Sequence, residues 1–308
     1  MLRRYAYLVA LAREKHFGRA AAACHVSQPT LSNAIRQLEE TLGVPIVERG
    51  QSFRGFTPEG ETVLAHARRM LAEQDALEQT LRGRASGLRG VARLGVIPTA
   101  LPAMPHLLAP FAARHPEVRV VLRSMSSRAI AQGLAEYDLD AGVTYLDNEP
   151  LPNVRRTALY AERSVLLTRR GPALEGRDSV TWAEAARLPL CLLTPDMQNR
   201  RITEAAFRAA GVAVAPQVET NSLINLAALA RQGPWSSVVP ELLLSTLRPD
   251  PALVALPLVA PAVTHTVGLV FADRDPPAPL ARALATLAVE LGLPATLDAL
   301  ARRAPDEG

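Results

Sequence analysis

The chain has 308 residues, 48% hydrophobic and 21% charged, which is long enough for two or more packed domains and carries no compositional mark of disorder. Its formal net charge of +4 lies wholly in positions 1–90, which hold 13 of the 34 basic and 9 of the 30 acidic residues, as a basic head on a neutral body would. Two cysteines and six scattered histidines exclude a disulfide scaffold and offer no paired ligand spacing, so neither a metal nor a cofactor is expected.

The N-terminus passes into charges at Arg13, Glu14 and Lys15 before any signal-like core develops. No apolar run approaches a membrane-spanning length, so a cytoplasmic chain with no membrane partner is expected. Positions 17–39, FGRAAAACHVSQPTLSNAIRQLE, then read as two helices joined by a turn. The alanines at 20–23 allow a short first helix to pack closely. Val26 reads as a buried plug, Ser27 as an N-cap, and Pro29 as an early helical residue. Leu31, Ile35, Leu38 and Leu42 recur at helical spacing as an inward face, and Gly43 suits a left-handed stop. That leaves Gln28, Thr30, Ser32, Asn33, Arg36 and Gln37 on other faces, able to reach base edges and phosphates in the manner of a helix-turn-helix. An ordinary amphipathic surface helix would show the same periodicity, and the segment after Gly43 favours the helix-turn-helix. Positions 44–57 read as a short hairpin, or wing, with glycines at its bends and Arg49 and Arg54 at its tip.

The ordered set Ala21-Ala22, Ser27-Gln28-Pro29, Leu31-Ser32, Ile35, Leu38-Glu39, Leu42-Gly43 and Thr57-Pro58-Glu59-Gly60-Glu61 resembles the winged helix-turn-helix of LysR-type transcriptional regulators. Many members carry arginine after the Leu-Ser pair, where this chain has Asn33. On the resemblance, the DNA-binding candidates are Gln28, Pro29, Thr30, Ser32, Asn33 and Arg36, with Arg54 from the wing. A stripe of Val63, Ala67, Met70, Leu71, Leu77 and Leu81 then marks one long amphipathic helix. Such a stripe packs either on its own domain or on a second copy. The resemblance makes it the linker and dimerisation helix of a homodimer, with a dimer of dimers as the larger assembly.

From 91 onward short apolar runs alternate with helical ones: VARLGVI, VRVVLRS and LDAGVTY as strands with helices between, then RSVLLT, PLCLLT, helices at 199–210 and 222–232, the strand WSSVV, and HTVGLVF before a C-terminal helical region. This is an α/β pattern. The resemblance implies a two-lobed, periplasmic-binding-protein-like effector domain. The expected division is a winged helix-turn-helix at 1–58, a linker helix at 59–88, lobe I at 91–162 with 268–308, and lobe II at 163–267.

In open α/β sheets ligands lie beyond the carboxyl ends of strands, near helix N-termini that favour anions. Thr99, Ser126, Thr194, Asn221 and Ser222 occupy such places and match those from which the family's effector contacts come, although any one of them could simply cap a helix. Gln198, Asn199, Arg200 and Arg201 follow Thr194 closely. An arginine there would pair with a carboxylate or lie on a solvated helix face. Trp235 reads as filling a lobe core, and Cys24 and Cys191 as buried small apolar residues.

The segments YLDNEPL, TWAEAARLPLCLLTPDMQNRRI, VETNS, GPWSSVVP and VTHTVGLVFADRDP are similar to the subgroup of regulators found beside genes for NAD-dependent formate dehydrogenase. The resemblance implies promoter DNA, RNA polymerase and a small-molecule effector, formate or another small anion, as partners. The alternatives are a two-lobed small-molecule-binding protein, which would require export, or an enzyme acting on a small carboxylate. The chain shows no G-x-S-x-G elbow, phosphate-cradling glycine loop or H-E-x-x-H pair.

Overall fold

The computed structural model describes residues 1–48, 50, 53–171, 174 and 176–302, and their side chains except at 82–86 and 301–302. The chain divides into two compact units, Met1–Leu88 and Arg89–Gly308.

The first unit begins with α1 (Leu2–Glu14), α2 (Phe17–Ala23) and α3 (Gln28–Leu42). Local chemistry sets each boundary. His16 Nδ1 accepts the Gly18 and Arg19 amides at 3.0 and 3.3 Å and so starts α2. Ser27 Oγ accepts the Thr30 amide at 3.3 Å to start α3, and Gly43 ends it at φ 72°, a conformation cheap only for glycine. Leu31, Ile35 and Leu38 are buried among Tyr7, Leu8, Leu11, Ala20 and Ala21. Leu42 departs from the expected inward face: as the last residue of the helix it is 39% exposed. Cys24 is only half-buried, since it closes the short α2 at the turn.

The expected wing is a narrow hairpin, with Val47 bridged to Phe56 in antiparallel sense and the Glu48 amide donating to Gly55 O at 3.1 Å. Arg49, expected at the tip, lies outside the described residues, as do Gln51 and Ser52. Glu39 Oε1 accepts the Ile46 and Val47 amides at 2.7 and 3.1 Å, tying α3 to the first wing strand. Thr57 Oγ1 caps α4 (Pro58–Ser86) at the Gly60 amide and donates to Pro45 O at 2.6 Å. A Cβ at Gly60 would stand 2.0 Å from Ile46 O, so the glycine permits α4 to pass directly beneath the wing. Along α4, Leu64 and Ala67 are buried, whereas Leu77 and Leu81 are 59% and 60% exposed.

The second unit is built on β1 (Gly90–Val96), α5 (Met104–Arg114), β2 (Val118–Ser124), α6 (Ser127–Ala135), β3 (Ala141–Tyr145), β4 (Val154–Arg169), β5 (Val180–Thr181), α7 (Trp182–Ala185), β6 (Leu190–Leu193), α8 (Gln198–Ala209), β7 (Val218–Thr220), α9 (Leu223–Gln232), β8 (Ser236–Pro240), β9 (Leu253–Val259), β10 (Thr264–Ala272), α10 (Pro279–Glu290) and α11 (Leu293–Arg302). A 3-10 turn, Pro98–Ala103, precedes α5 and another, Glu241–Thr246, follows β8.

Among the described residues the strands form one ten-stranded mixed sheet in the order β2-β1-β3-β10-β4-β8-β6-β7, with β9 also beside β4 and β5 beside β9. β1 runs parallel to β2 and β3, and β6 parallel to β7 and β8. β4 joins the two series: it pairs with β10 up to Arg163 and with β8 from Ser164 onward. The second series closes over a core of Trp182, Phe207, Leu166, Leu192 and Val238, in which the Trp182 and Phe207 rings meet edge to face at 5.0 Å and Trp182 Nε1 donates to Pro261 O at 2.9 Å. Trp235, expected to fill a lobe core, is partly buried and packs against the cluster that holds Cys191, Leu193 and Val239. Its ring lies over Gly233, where a Cβ would come within 2.3 Å, and its Nε1 donates to Gln217 at 3.0 Å. Among the described residues no single helix is long and apolar enough to cross a membrane.

Candidate functional site

In the first unit α3 presents an uncovered polar face. Gln28, Pro29, Thr30, Asn33 and Arg36 are exposed, Ser32 is half-buried, and Arg54 is exposed on the returning wing strand. Thr30 Oγ1 sits 2.8 Å from Ser27 Oγ, so part of its hydrogen-bonding capacity is already used within the cap. Gln37 is bonded to Arg4 Nη2 at 3.0 Å and thus belongs to the scaffold. The inward triad Leu31, Ile35 and Leu38 orients the rest outward together, which one helix in a major groove requires.

The second unit holds a cleft where the carboxyl ends of the two parallel series meet. Ile97, Pro98 and Thr99 follow β1, Ser126 and Ser127 open α6 after β2, Tyr145 ends β3, Leu193 ends β6, and Met197, Gln198 and Asn199 open α8; the space they enclose is about 220 Å³, including open solvent. The polar lining is uncharged throughout. Of the expected effector residues, Thr99 and Ser126 line this space. Thr194 does not: its amide donates to Thr220 O at 3.0 Å, and its buried Oγ1 has no partner. Asn221 is exposed, Ser222 caps α9 at the Asn225 amide, and neither is among the residues that line this space.

Gln198 is 3% exposed, yet both its amide oxygen and its amide nitrogen lack a partner. A buried amide with neither need met is costly unless something else meets it. Asn199 Nδ2 donates to Tyr145 Oη at 2.9 Å. That hydroxyl also lies 3.1 Å from Thr99 Oγ1 and donates in turn to Glu162 Oε1. Tyr160 Oη donates to Glu162 Oε2 at 3.2 Å. Burial lifts the Glu162 carboxyl to about 7, although the hydroxyls of Tyr145, Tyr160 and Thr99 pull it down. Burial and the nearby carboxyl raise both tyrosines well above their ordinary range.

The two arginines in the first turn of α8 are committed to carboxylates of the chain itself. Arg200, 5% exposed, bonds Glu204 at 2.9 Å, Glu219 at 2.6 Å and Leu193 O at 2.6 Å. Arg201 bonds Glu149 at 2.7 Å and the carbonyls of Pro195 and Asp196. Tyr145 and Glu162 are not among the residues that sequence patterns single out. The signal present is the alternation in Tyr160-Ala161-Glu162-Arg163, in which the even positions share one face of a strand.

Cys191 is fully buried in β6 and its thiol is pushed up by burial, and the half-buried Cys24 thiol is raised for the same reason. Neither lines the cleft. Among the described residues no cluster of three or more metal-ligating side chains occurs.

Both units match known proteins. Residues 2–61 match the bacterial regulatory helix-turn-helix protein, lysR family, and residues 85–292 match the LysR substrate binding domain. The DNA-binding transcriptional dual regulator OxyR of Escherichia coli K12 is 30% identical over 271 residues, covering 88% of each chain. A probable hydrogen peroxide-inducible genes activator of Mycobacterium xenopi is 38% identical over 173 residues, 56% of this chain and 90% of the other. A full-length cysteine-to-aspartate variant of OxyR from Pseudomonas aeruginosa superposes with a TM-score of 0.75 at 26% identity, covering 94% of this chain and 97% of that one. CbnR in complex with its target DNA shares the fold, with a TM-score of 0.65 at 22% identity over 94% and 99%. The relatives are transcription regulators and not enzymes, and the chain belongs to the LysR family of ligand-responsive, DNA-binding transcription regulators.

Proposed function

We propose that the exposed face of α3, through Gln28, Pro29, Thr30, Ser32, Asn33 and Arg36, reads promoter DNA while Arg54 holds the backbone, and that the cleft at Thr99, Ser126, Gln198 and Asn199 takes the effector. The observation that carries the effector reading is Gln198, a buried amide aimed into the cleft with both groups unpartnered. The finer reading is that the effector is formate or another small carboxylate and the targets are formate dehydrogenase genes. It rests on the similarity of the effector-domain segments to that subgroup and on the N-termini of α6 and α8 beside the cleft. Thr194, Asn221 and Ser222 are retained only as supports of the cleft wall.

The exposed Leu77 and Leu81 on α4 support pairing with a second copy of the chain, and the change of partners along β4 at Arg163 supports a lobe boundary there. Ligand can alter DNA binding only by its differential affinity for two arrangements of the lobes. RNA polymerase is the partner through which such a shift would reach transcription.

A peroxide response like that in the names of several relatives is the second reading, favoured by overall similarity. The burial of Cys191 speaks against a thiol-based form of it, because the thiolate is the reactive species. Footprinting on promoters of formate dehydrogenase genes from the same genome, with and without sodium formate, tests the primary reading. A protected site whose extent changes with formate is expected; no protection at these promoters discards the target, and protection indifferent to formate discards the effector.

A further inference from the structure

The chain of hydroxyls beside the cleft ends on a buried acid. Thr99 Oγ1 lines the cleft, Tyr145 Oη lies 3.1 Å behind it, and Glu162 lies behind Tyr145. The groups facing Glu162 from neighbouring elements are Thr99, Tyr145 on β3, Tyr160 on β4 itself, and His265, its partner across the β4–β10 ladder. His265 turns its Nδ1 to Asn148 at 2.9 Å and lies 3.6 Å from Asp147. The flanking residues are occupied elsewhere: Arg163 pairs with Glu241 at 3.0 Å, and the Ala161 amide donates to Asp298 of α11. No cation is therefore in contact with Glu162 among the described residues.

Hydroxyl chains have a direction. With Glu162 ionised, Tyr145 donates to it and Thr99 donates to Tyr145, so Thr99 offers only lone pairs to the cleft. With Glu162 protonated, the carboxyl donates to Tyr145 Oη, Tyr145 donates to Thr99 Oγ1, and the Thr99 hydrogen is released toward the cleft. Asn199 donates to Tyr145 in both cases. A carboxylate ligand needs donors and finds the nearby arginines already paired with Glu149, Glu204 and Glu219.

On the reading of this cleft as the effector site for a small carboxylate, we propose that the ligand is bound together with one proton, which lodges on Glu162 and reverses the Tyr145–Thr99 hydroxyl chain into a donor. The proton comes from solvent, no covalent bond to the ligand forms, and anion plus proton enter as a neutral pair. This removes the repulsion between two negative charges in a poorly solvated place. A carboxyl lifted to about 7 takes up that proton near neutrality, so small pH changes there would alter ligand affinity.

The test is titration calorimetry of the full chain with sodium formate, in buffers of low and high ionisation enthalpy, from about pH 6 to about pH 8.5. Linkage predicts uptake of close to one proton per formate at about pH 8 and an affinity that falls about tenfold per pH unit above about 7. Glu162→Gln holds a permanent donor against Tyr145, and it should bind formate with no proton uptake and a flat pH profile. Thr99→Val removes the end of the chain and should lose the low-pH gain; it serves if Glu162→Gln does not fold. Formate binding at about pH 8 without proton uptake, or an unaltered pH slope in either variant, overturns the proposal and leaves the effector reading standing. No binding of formate or acetate at any pH overturns both.

Discussion

Asn199 donates to the hydroxyl of Tyr145 at 2.9 Å, a single bond that ties the first turn of α8 to the end of β3 across the cleft. The two residues come from the two parallel strand series, and the same hydroxyl supplies the buried Glu162 with a donor. Removing it therefore affects both the cleft and the carboxyl behind it.

Tyr145→Phe keeps the ring and deletes that hydroxyl. Glu162 and Asn199 then each lose a buried partner, and the expected cost is about 1–3 kcal/mol of stability, read by urea denaturation at neutral pH. An unchanged midpoint would mean that water takes the place of the hydroxyl at no cost.

Stability should also depend on pH through Glu162. Its carboxyl is near 4.5 in the unfolded chain and about 7 when folded, so the native state binds the proton more tightly. The contribution is complete below about pH 4.5 and is lost as pH rises through about 7, in total about 3 kcal/mol. Denaturation across this window should show the wild-type chain losing stability relative to Glu162→Gln, with the difference levelling above about pH 8. A constant difference would place the proton elsewhere.

Gly60→Ala puts a methyl group 2.0 Å from the Ile46 carbonyl. The clash is with backbone, which cannot turn aside, so the wing must shift. We expect a loss of about 1–3 kcal/mol, measured by thermal unfolding of the full chain, together with weaker DNA binding. Ligand binding should be retained, and a variant as stable as wild type would show that the wing moves freely.

Arg36→Ala on the exposed face of α3 should weaken binding to the cognate promoter by about 1–3 kcal/mol, roughly 5- to 150-fold in a mobility-shift assay, with fold and ligand affinity intact. Equal loss on cognate and random DNA would reassign it to phosphate contact, and no loss would remove it from the reading surface.

The double variant Cys24→Ser with Cys191→Ala should retain its effector response in a promoter-reporter assay, since neither thiol lines the cleft and burial raises both. Abolition of a peroxide response in the double variant, at normal protein level, would instead establish thiol sensing.

How far the chain can be read before it is folded depends on the range of the interactions. The helix-turn-helix is legible because its signals are local: Ser27 caps three residues away, Gly43 closes the helix it follows, and Leu31, Ile35 and Leu38 are spaced by the helix itself. Thr99 and Ser126 are also legible, since each follows the carboxyl end of a parallel strand, where ligands of open α/β sheets lie. The same rule points to Asn221 and Ser222, and the run of residues around them does not say that Asn221 stays exposed while Ser222 is spent on capping α9.

By itself the sequence determined the family, the α/β character of the body and the helix that presents Arg36, all of which follow from caps, periods and motif order along a contiguous stretch. Tertiary structure alone decided the electrostatics of the cleft. Glu149 and Glu219 reach Arg201 and Arg200 from 52 and 19 residues away, and Glu162, between exposed Ala161 and Arg163, becomes a buried acid only when β3 and β10 close beside it. Charge pairing and desolvation depend on distance in space, and the chain order of the partners does not encode that distance.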